Sequence, residues 1–193
     1  MKPTFFFDID DVLLDTQRYY WQFLGLEKQT FDTRVLQSIP KKRFYDFRRS
    51  EYFSKIPPLV SSNIFNLISS KYPVRLITNI PQYCLLPRLQ NLTDIGYNFT
   101  SIDMAGPERS GTNPAIPKST IIDNYLDLNC PALFFDDSLL NCIDVLSKFR
   151  NQCQVVLFDR PHNRSQSLPK EIERATGWCE ILRIIRRFLG LVE

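Results

Sequence analysis

Four short segments of the chain are apolar on successive residues rather than on alternate ones. They are Thr4–Phe7, Val74–Ile77, Ala132–Phe135 and Val155–Phe158. Runs of this length that are mainly apolar, as these are apart from Thr4 and Arg75, are typical of strands that are buried on both faces of a parallel sheet. A shorter, half-polar run at Ser101–Met104 is interpreted as a fifth strand. The pattern therefore predicts a parallel sheet at the centre of the fold.

Helical spacing of apolar residues separates these strands in the second half of the chain. Helices are predicted over Thr120–Leu128 and Leu139–Phe149, and a last helix carries Trp178, Ile185 and Leu189 on one side. Strands that alternate with helices in this way indicate an α/β fold. We predict a Rossmann-like, doubly wound parallel sheet with helices as its outer layers.

The alternation stops between Thr16 and Pro73, where no clear strand interrupts a segment rich in Tyr and Phe. We interpret this segment as a helical insertion after the first strand, held together by its large aromatic groups. The predicted division is a core domain over residues 1–16 and 74–193 and a helical insertion over residues 17–73. A Gly- and Pro-containing stretch, Ala105–Pro117, is predicted to be a loop.

The composition is that of an ordinary globular protein. Of its 193 residues, 44% are hydrophobic and 23% are charged, which suits one α/β domain with a modest insertion. The net charge of +3 and the scattered basic residues do not indicate binding to a nucleic-acid polymer. No stretch has the roughly 20 apolar residues that cross a bilayer, so no membrane partner is expected.

The five cysteines are widely spaced and form no Cys-x-x-Cys pair. Neither a disulfide framework nor a zinc site is therefore indicated, and we interpret the cysteines as reduced, mostly buried thiols. The first residues also lack the pattern of a secretory signal. These features together predict a cytoplasmic protein.

Polar side chains that can carry chemistry stand just beyond the carboxyl ends of the predicted strands. In an open parallel sheet such side chains gather at one edge, near the point where strand order reverses. The candidates are Asp8, Asp10, Thr78, Asn79, Asp136 and Asp137, with Lys118 at the start of a helix. The sequence therefore predicts one site that contains carboxylates, a hydroxyl and an ammonium.

Several carboxylates in one site repel each other at neutral pH unless a cation neutralises them. Mg²⁺ is a hard ion that binds one or two protein carboxylates together with waters and a substrate phosphate. A carboxylate can also attack phosphorus to form an acyl phosphate, while a second carboxylate two residues away serves as general acid and base. We therefore predict a Mg²⁺ cofactor and a small phosphomonoester substrate.

The segments FFFDIDDVLLDT, LITN and FFDDSLLN, with Lys118 between the last two, resemble the four ordered motifs of the haloacid dehalogenase superfamily of phosphohydrolases. The resemblance implies that Asp8 is the nucleophile and that Asp10 is the general acid and base. The phosphate-binding residues assigned with it are Thr78, Asn79 and Lys118. The implied metal ligands are Asp8, Asp10 through its backbone carbonyl, Asp136 and Asp137.

The insertion stands where that superfamily often has a helical cap, and Asp11 stands where it very often has Gly. A second, narrower resemblance lies in LFDRPHNR at Leu157–Arg164, followed by Trp178 and Glu180. This part is similar to the tail of 5′(3′)-deoxyribonucleotidases, which implies a nucleoside monophosphate substrate. The alternatives are a phosphatase of a phosphosugar or other small metabolite, and a phosphate-binding protein that no longer turns over.

Other polar residues close to the motifs have structural interpretations. Asp11 is interpreted as a solvated turn residue, Asp15 as an acid at a helix start, and Thr16 as the cap of that helix. His162 lies in a Pro- and Arg-rich loop and is assigned a loop role. Asn141 has the spacing to hydrogen-bond the metal carboxylates, but a polar position on a helix explains it almost as well.

Overall fold

The computed structural model describes residues 2–26, 35, 38–107, 115–127 and 129–191. Within them, the chain forms a six-stranded sheet in the order β3-β2-β1-β4-β5-β6. Every pair of neighbouring strands is parallel. The strands are β1 (Thr4–Phe7), β2 (Val74–Thr78), β3 (Ser101–Met104), β4 (Ala132–Asp136), β5 (Cys153–Phe158) and β6 (Ile172–Ala175). The strand order reverses at β1, between β2 and β4, which is the position where open α/β sheets bind ligands.

Helices flank this sheet and form the insertion. They are α1 (Thr16–Phe23), α2 (Lys41–Arg49), α3 (Ser62–Ser69), α4 (Leu85–Ile95), α5 (Lys118–Asp123), α6 (Leu139–Phe149) and α7 (Trp178–Phe188). Short 3₁₀ helices occur at Glu51–Lys55 and Gln82–Cys84. The predicted α/β class with a parallel sheet is confirmed. The structure differs from the prediction in a sixth strand and in the length of one helix.

The sixth strand was not predicted, because its sequence contains no apolar run. Ile172–Ala175 reads Ile-Glu-Arg-Ala, and only its first and last residues are buried. The helix predicted over Thr120–Leu128 is also shorter, since α5 ends at Asp123. Beyond it the carboxylate of Asp127 accepts the backbone N–H of Asn129 at 2.9 Å, a local turn that competes with helix. Residue 128 lies outside the described residues.

Successive side chains of β1 pack into different layers, as the pleat of a strand requires. Phe5 and Phe7 belong to one core cluster, and Phe6 belongs to a second cluster on the opposite face. The Phe7 ring stacks on Phe135 of β4, with centroids 4.5 Å apart, and lies 5.7 Å from the ring of Trp178. Packing on both faces therefore fixes β1 at the centre and positions the acidic loop that follows it.

The described part of the insertion is helical, and aromatic contacts hold it together. The ring of Tyr20 lies 5.0 Å from Phe44 and 5.1 Å from Phe47. Helix α3 packs differently, because its Phe65 makes an edge contact with Phe7 of β1 at 5.9 Å. The hydrophobic core is therefore continuous from the end of the insertion into the sheet, and the predicted domain boundaries stay a prediction.

Three smaller predictions concern cysteines, membrane spans and the loop at Ala105–Pro117. All five cysteines have free thiols, of which Cys179 is exposed and the others are buried. No helix among the described residues has the length and apolar character that crossing a bilayer requires. Residues 105–107 and 115–117 belong to neither helix nor strand, and residues 108–114 lie outside the described ranges.

Candidate active site

Lys118 lies between two carboxylates at the carboxyl edge of the sheet. Its Nζ donates to Asp8 Oδ1 at 2.6 Å and to Asp136 Oδ2 at 2.7 Å, and the side chain is almost completely buried. Burial alone would favour the neutral amine, but the Asp136 and Asp8 carboxylates outweigh it and raise the pKa of Lys118. The lysine therefore stays charged and orients both carboxylates.

Asp8 follows β1 directly and is 6% exposed. Its backbone N–H donates to the carbonyl of Phe135 at 2.8 Å, which extends the pairing of β1 with β4 to the site. Burial raises the pKa of Asp8 to about 8; Lys118 opposes the rise, whereas Asp136 adds to it. Lys118 alone therefore does not keep this carboxyl fully ionised at neutral pH.

Asp8, Asp136 and Asp137 form a group that fits a divalent cation. Each offers a carboxylate oxygen, and these oxygens lie within 4.8 Å of one another. Burial raises the pKa of Asp137 well above its usual value, and the neighbouring carboxylates, Asp11 first, add to the rise. A donor set of oxygens with excess negative charge suits a hard ion such as Mg²⁺.

Asn141 contacts this group from α6. Its Nδ2 lies 3.1 Å from each carboxylate oxygen of Asp136, and the backbone N–H of Ser138 donates to Asp136 Oδ1 at 2.8 Å. Of the two interpretations of Asn141, the structure agrees with the one in which it hydrogen-bonds a candidate metal carboxylate, that of Asp136. Asn79 is exposed and donates from Nδ2 to Asn141 Oδ1 at 3.3 Å, so its phosphate-binding role stays a prediction.

Three donors surround the carboxylate of Asp10. Thr16 Oγ1 donates to Oδ1 at 2.6 Å, Arg88 Nη2 donates to Oδ1 at 2.7 Å, and Thr78 Oγ1 donates to Oδ2 at 3.0 Å. The prediction that Thr16 caps α1 is wrong, because Asp15 holds the N-cap position and the Thr16 hydroxyl points to Asp10. Thr78 is completely buried at the end of β2. The hydroxyl predicted to bind phosphate is therefore next to the predicted acid and base.

Asp11 is not the solvated turn residue that the sequence predicted. It is 9% exposed, and its φ of 59° lies in the left-handed region. Its carboxylate accepts the N–H of Gln17 in α1 at 2.9 Å, and its carbonyl accepts from Arg160 Nε at 2.6 Å. Burial raises the pKa of Asp11 to about 7, against the hydrogen bond from Gln17. Gly adopts this conformation freely, and Asp tolerates it.

The segment after β5 contacts the backbone of both acidic loops. Asn163 is completely buried and donates to the carbonyls of Asp137 and Phe158 at 2.7 and 2.8 Å. His162 Nε2 lies 3.1 Å from the carbonyl of Asp137 and 3.2 Å from its Oδ2. Burial lowers the pKa of His162. The loop role assigned to His162 thus includes contact with a candidate metal ligand, which the sequence did not indicate.

A cavity of about 480 Å³ separates the strand ends from the insertion. Asp8, Asp10 and Asp137 line its inner side. On the insertion side it is lined by aromatic and basic residues, including Tyr20, Lys41, Phe44, Arg48 and Phe53. The cavity therefore joins the acidic side chains at the strand ends to an aromatic and basic surface of the insertion.

Sequence reasoning missed Arg88. It lies on α4, is 0% exposed and forms an ion pair with Asp10. Burial lowers the pKa of Arg88, and the Asp10 carboxylate opposes that effect. An arginine in a helix is normally solvated, and no local pattern distinguishes Arg88 from such residues. Only its position in space reveals its link to the site.

Comparisons with known proteins support the fold. No family model matches the sequence, and no curated protein is significantly similar to it. YfnB from Bacillus subtilis, assigned as a HAD hydrolase and bound to magnesium, has a TM-score of 0.64 and 13% identity. The match covers 96% of this chain and 99% of YfnB.

Two further solved structures match over nearly their whole length. A Thermotoga maritima protein assigned as a beta-phosphoglucomutase has a TM-score of 0.59 and 16% identity, covering 96% of this chain and 99% of its own. CbbY from Rhodobacter sphaeroides, in complex with phosphate, has a TM-score of 0.58 and 16% identity, covering 94% and 96%. The chain therefore has the haloacid dehalogenase (HAD) fold.

The buried Asp8 carboxyl predicts a pH-dependent stability in the absence of metal. Its pKa in the folded state, about 8, is above its ordinary value of 3.8. Between these values the folded protein holds a proton that the unfolded chain has lost, so stability falls as pH rises through this window. One such proton changes the free energy of unfolding by about 1.4 kcal/mol per pH unit.

The measurement is thermal unfolding in chelator from pH 5 to pH 8, for the wild type and for Asp8→Asn. We expect the melting temperature of the wild type to fall more steeply with pH, because the asparagine does not titrate. Mg²⁺ added at pH 8 should restore the stability of the wild type. Equal slopes in the two proteins would contradict the assignment.

Proposed function

We propose that this protein is a Mg²⁺-dependent phosphomonoester hydrolase that acts through an aspartyl-phosphate on Asp8. The observation that carries the proposal is the pairing of Asp8 with Lys118 beside Asp136 and Asp137, with Asp10 bordering the same cavity. This arrangement lies at the switch point of a HAD fold, where a parallel sheet binds its ligand. The proposed metal ligands are the Asp8, Asp136 and Asp137 carboxylates and the Asp10 carbonyl.

The reaction takes two displacements at phosphorus. A carboxylate oxygen of Asp8 attacks the phosphoryl group, the ester P–O bond breaks, and Asp10 gives its proton to the departing alkoxide. Asp10 then takes a proton from a water, which attacks phosphorus and releases phosphate and free Asp8. Bound Mg²⁺ would neutralise negative charge on the phosphoryl oxygens and on the carboxylates.

Lys118 and Thr78 complete the phosphate site in this proposal. Lys118 holds Asp8 by a 2.6 Å hydrogen bond and places a fixed positive charge beside it. Such a preorganised charge stabilises the transition state without reorganisation during the reaction. Thr78, with its hydroxyl 3.0 Å from Asp10 Oδ2, would donate to a phosphoryl oxygen. Retention of both Asp8 and Asp10 argues against a protein that only binds phosphate.

We propose that the insertion acts as a cap that selects the substrate, and that the substrate is a nucleoside monophosphate. Phe44 supports this choice: it lines the cavity, is partly exposed, and has the Arg48 guanidinium 4.2 Å above its ring. A phosphosugar is the alternative, because the fold is also that of the Thermotoga maritima protein assigned as a beta-phosphoglucomutase. The two candidates share the chemistry at Asp8 and differ in what contacts the cap.

The experiment that tests the function is a phosphate-release screen with and without Mg²⁺. It includes nucleoside monophosphates, their deoxy forms, phosphosugars and para-nitrophenyl phosphate. We expect hydrolysis that chelator abolishes and Mg²⁺ restores. Full activity in excess chelator would contradict the metal-dependent mechanism. Faster hydrolysis of phosphosugars than of every nucleotide would favour the alternative substrate.

Asp8→Asn should abolish turnover of every substrate, because the amide is nearly isosteric but cannot form the acyl phosphate. The control is Asp15→Asn, which makes the same change in the same loop at a residue paired with Arg18. Steady-state phosphate release and thermal unfolding check both variants. Undiminished hydrolysis by a folded Asp8→Asn protein would remove Asp8 as the nucleophile.

Asp10→Asn should lower kcat/KM for alkyl phosphates by about 10²-fold or more, the usual size of a general acid or base contribution. The loss should be smaller for para-nitrophenyl phosphate, since nitrophenolate leaves without a proton. The parameter to compare is kcat/KM, because it reports formation of the aspartyl-phosphate and not its later hydrolysis. Equal losses across leaving groups would count against Asp10 as the acid.

If the substrate is a nucleotide, Phe44→Ala should weaken its turnover by roughly one to two powers of ten, because base stacking contributes about 1–3 kcal/mol in other sites. Hydrolysis of para-nitrophenyl phosphate should change little. Tyr52→Ala is the matched control, because Tyr52 is an exposed aromatic of the same insertion that contacts Tyr19 and Phe23. A similar loss in both variants would point to cap folding rather than to base binding.

A further inference from the structure

Arg88 is the largest of the completely buried side chains that the structure describes, and its charge lies against Asp10. A buried guanidinium is costly unless an anion and hydrogen bonds compensate it. The 2.7 Å contact from Nη2 to Asp10 Oδ1 provides the anion, while Nε has no hydrogen-bond partner among the described residues. A core helix therefore supplies a positive charge directly to the proposed acid and base.

The guanidinium itself is held on several sides. Its Nη1 lies 3.4 Å from Asn91 Oδ1, and its carbon lies 4.2 Å from the centre of the Phe53 ring. Asn91 in turn donates to the carbonyl of Ile56 at 3.0 Å. These contacts join α4 to the end of the insertion, so the position of Arg88 is set by packing and not by solvent.

The donors to Asp10 divide between its two oxygens. Arg88 and Thr16 both donate to Oδ1, whereas Thr78 donates to Oδ2. A threonine hydroxyl has one proton to donate. When it donates to a phosphoryl oxygen of the substrate, Oδ2 of Asp10 loses this partner, but Oδ1 keeps both of its own.

We infer that Arg88 is a positioning residue: it holds Asp10 by Oδ1, so that Oδ2 is the oxygen that exchanges protons with the leaving group and the water. The inference rests on the proposed function and extends it to a residue outside the four motifs. Arg88 touches neither substrate nor metal in this scheme. Its effect on the reaction passes through Asp10 alone.

The test is Arg88→Met, which keeps much of the volume beside Phe53 and removes the donors. Adenosine monophosphate or glucose 6-phosphate, whichever the wild type turns over faster, is compared with para-nitrophenyl phosphate. We expect kcat/KM for the alkyl ester to fall by about 10²-fold, with a change of less than about threefold for the aryl ester.

A second readout separates positioning from loss of structure. Hydrolysis of the aspartyl-phosphate also uses Asp10, so kcat for the aryl ester should fall while its kcat/KM is kept. Nitrophenol should then appear in an initial burst whose amplitude equals the enzyme concentration. In an Asp10→Asn background, Arg88→Met should lower kcat/KM for the alkyl ester by less than about a further threefold. The reason is that the effects of residues that act as one unit are not additive.

Arg75→Met is the matched control: Arg75 is a partly buried arginine of β2 that lies over the Tyr125 ring and donates to Ser101. Arg75→Met should hydrolyse both substrates at nearly the wild-type rate. If Arg88→Met does not fold, Arg88→Lys replaces it, and a selective loss of about tenfold on the alkyl ester is expected.

Two results would overturn the role of Arg88 while the proposed function stands. One is an equal fall in kcat/KM for both esters in Arg88→Met, and the other is that Arg88→Met lowers kcat/KM as much in the Asp10→Asn background as in the wild type. A wild type that hydrolyses neither ester would overturn the proposed function and the inference with it. The two failures are therefore distinguishable in one set of assays.

Discussion

Excess negative charge in a buried site is the constraint on which the rest of this structure depends. The carboxylates of Asp8, Asp136 and Asp137 lie within 4.8 Å of one another, and Lys118 supplies positive charge between two of them. Carboxylates this close do not all ionise unless a further cation joins them. The same burial strengthens every electrostatic interaction in the site. The fold therefore holds these acids in an arrangement that suits a divalent cation.

Elements far apart in the chain hold the loop after β1 in place. The indole of Trp178 donates to the carbonyl of Val12 at 3.0 Å, and Arg160 donates to the carbonyl of Asp11 at 2.6 Å. From the other side Arg88 donates to Asp10 at 2.7 Å. These bonds satisfy buried backbone and side-chain oxygens that would otherwise be costly. The C-terminal helix and the loop after β5 thus serve the site without being close to it in sequence.

Features that follow from a local sequence pattern were predictable, whereas features that depend on contacts between distant segments were not. Apolar runs located β1, β2 and β4, and a strand end followed by acids located Asp8 and Asp136, since strand ends converge at one edge. Asp11 was misjudged because its contacts are with Arg160 and with Gln17 of α1, and Thr16 because its hydroxyl donates to Asp10.

The sequence by itself determined the α/β class and predicted the edge of the sheet at which the candidate acids and Lys118 gather. Periodicity and strand-end chemistry are local properties, so they can be read along the chain. Only the tertiary structure decided that Arg88 is buried against Asp10, that His162 contacts Asp137, and which aromatic side chains face the cavity. These depend on packing between distant segments, and packing gives an ordinary arginine or histidine its role without changing the local pattern around it.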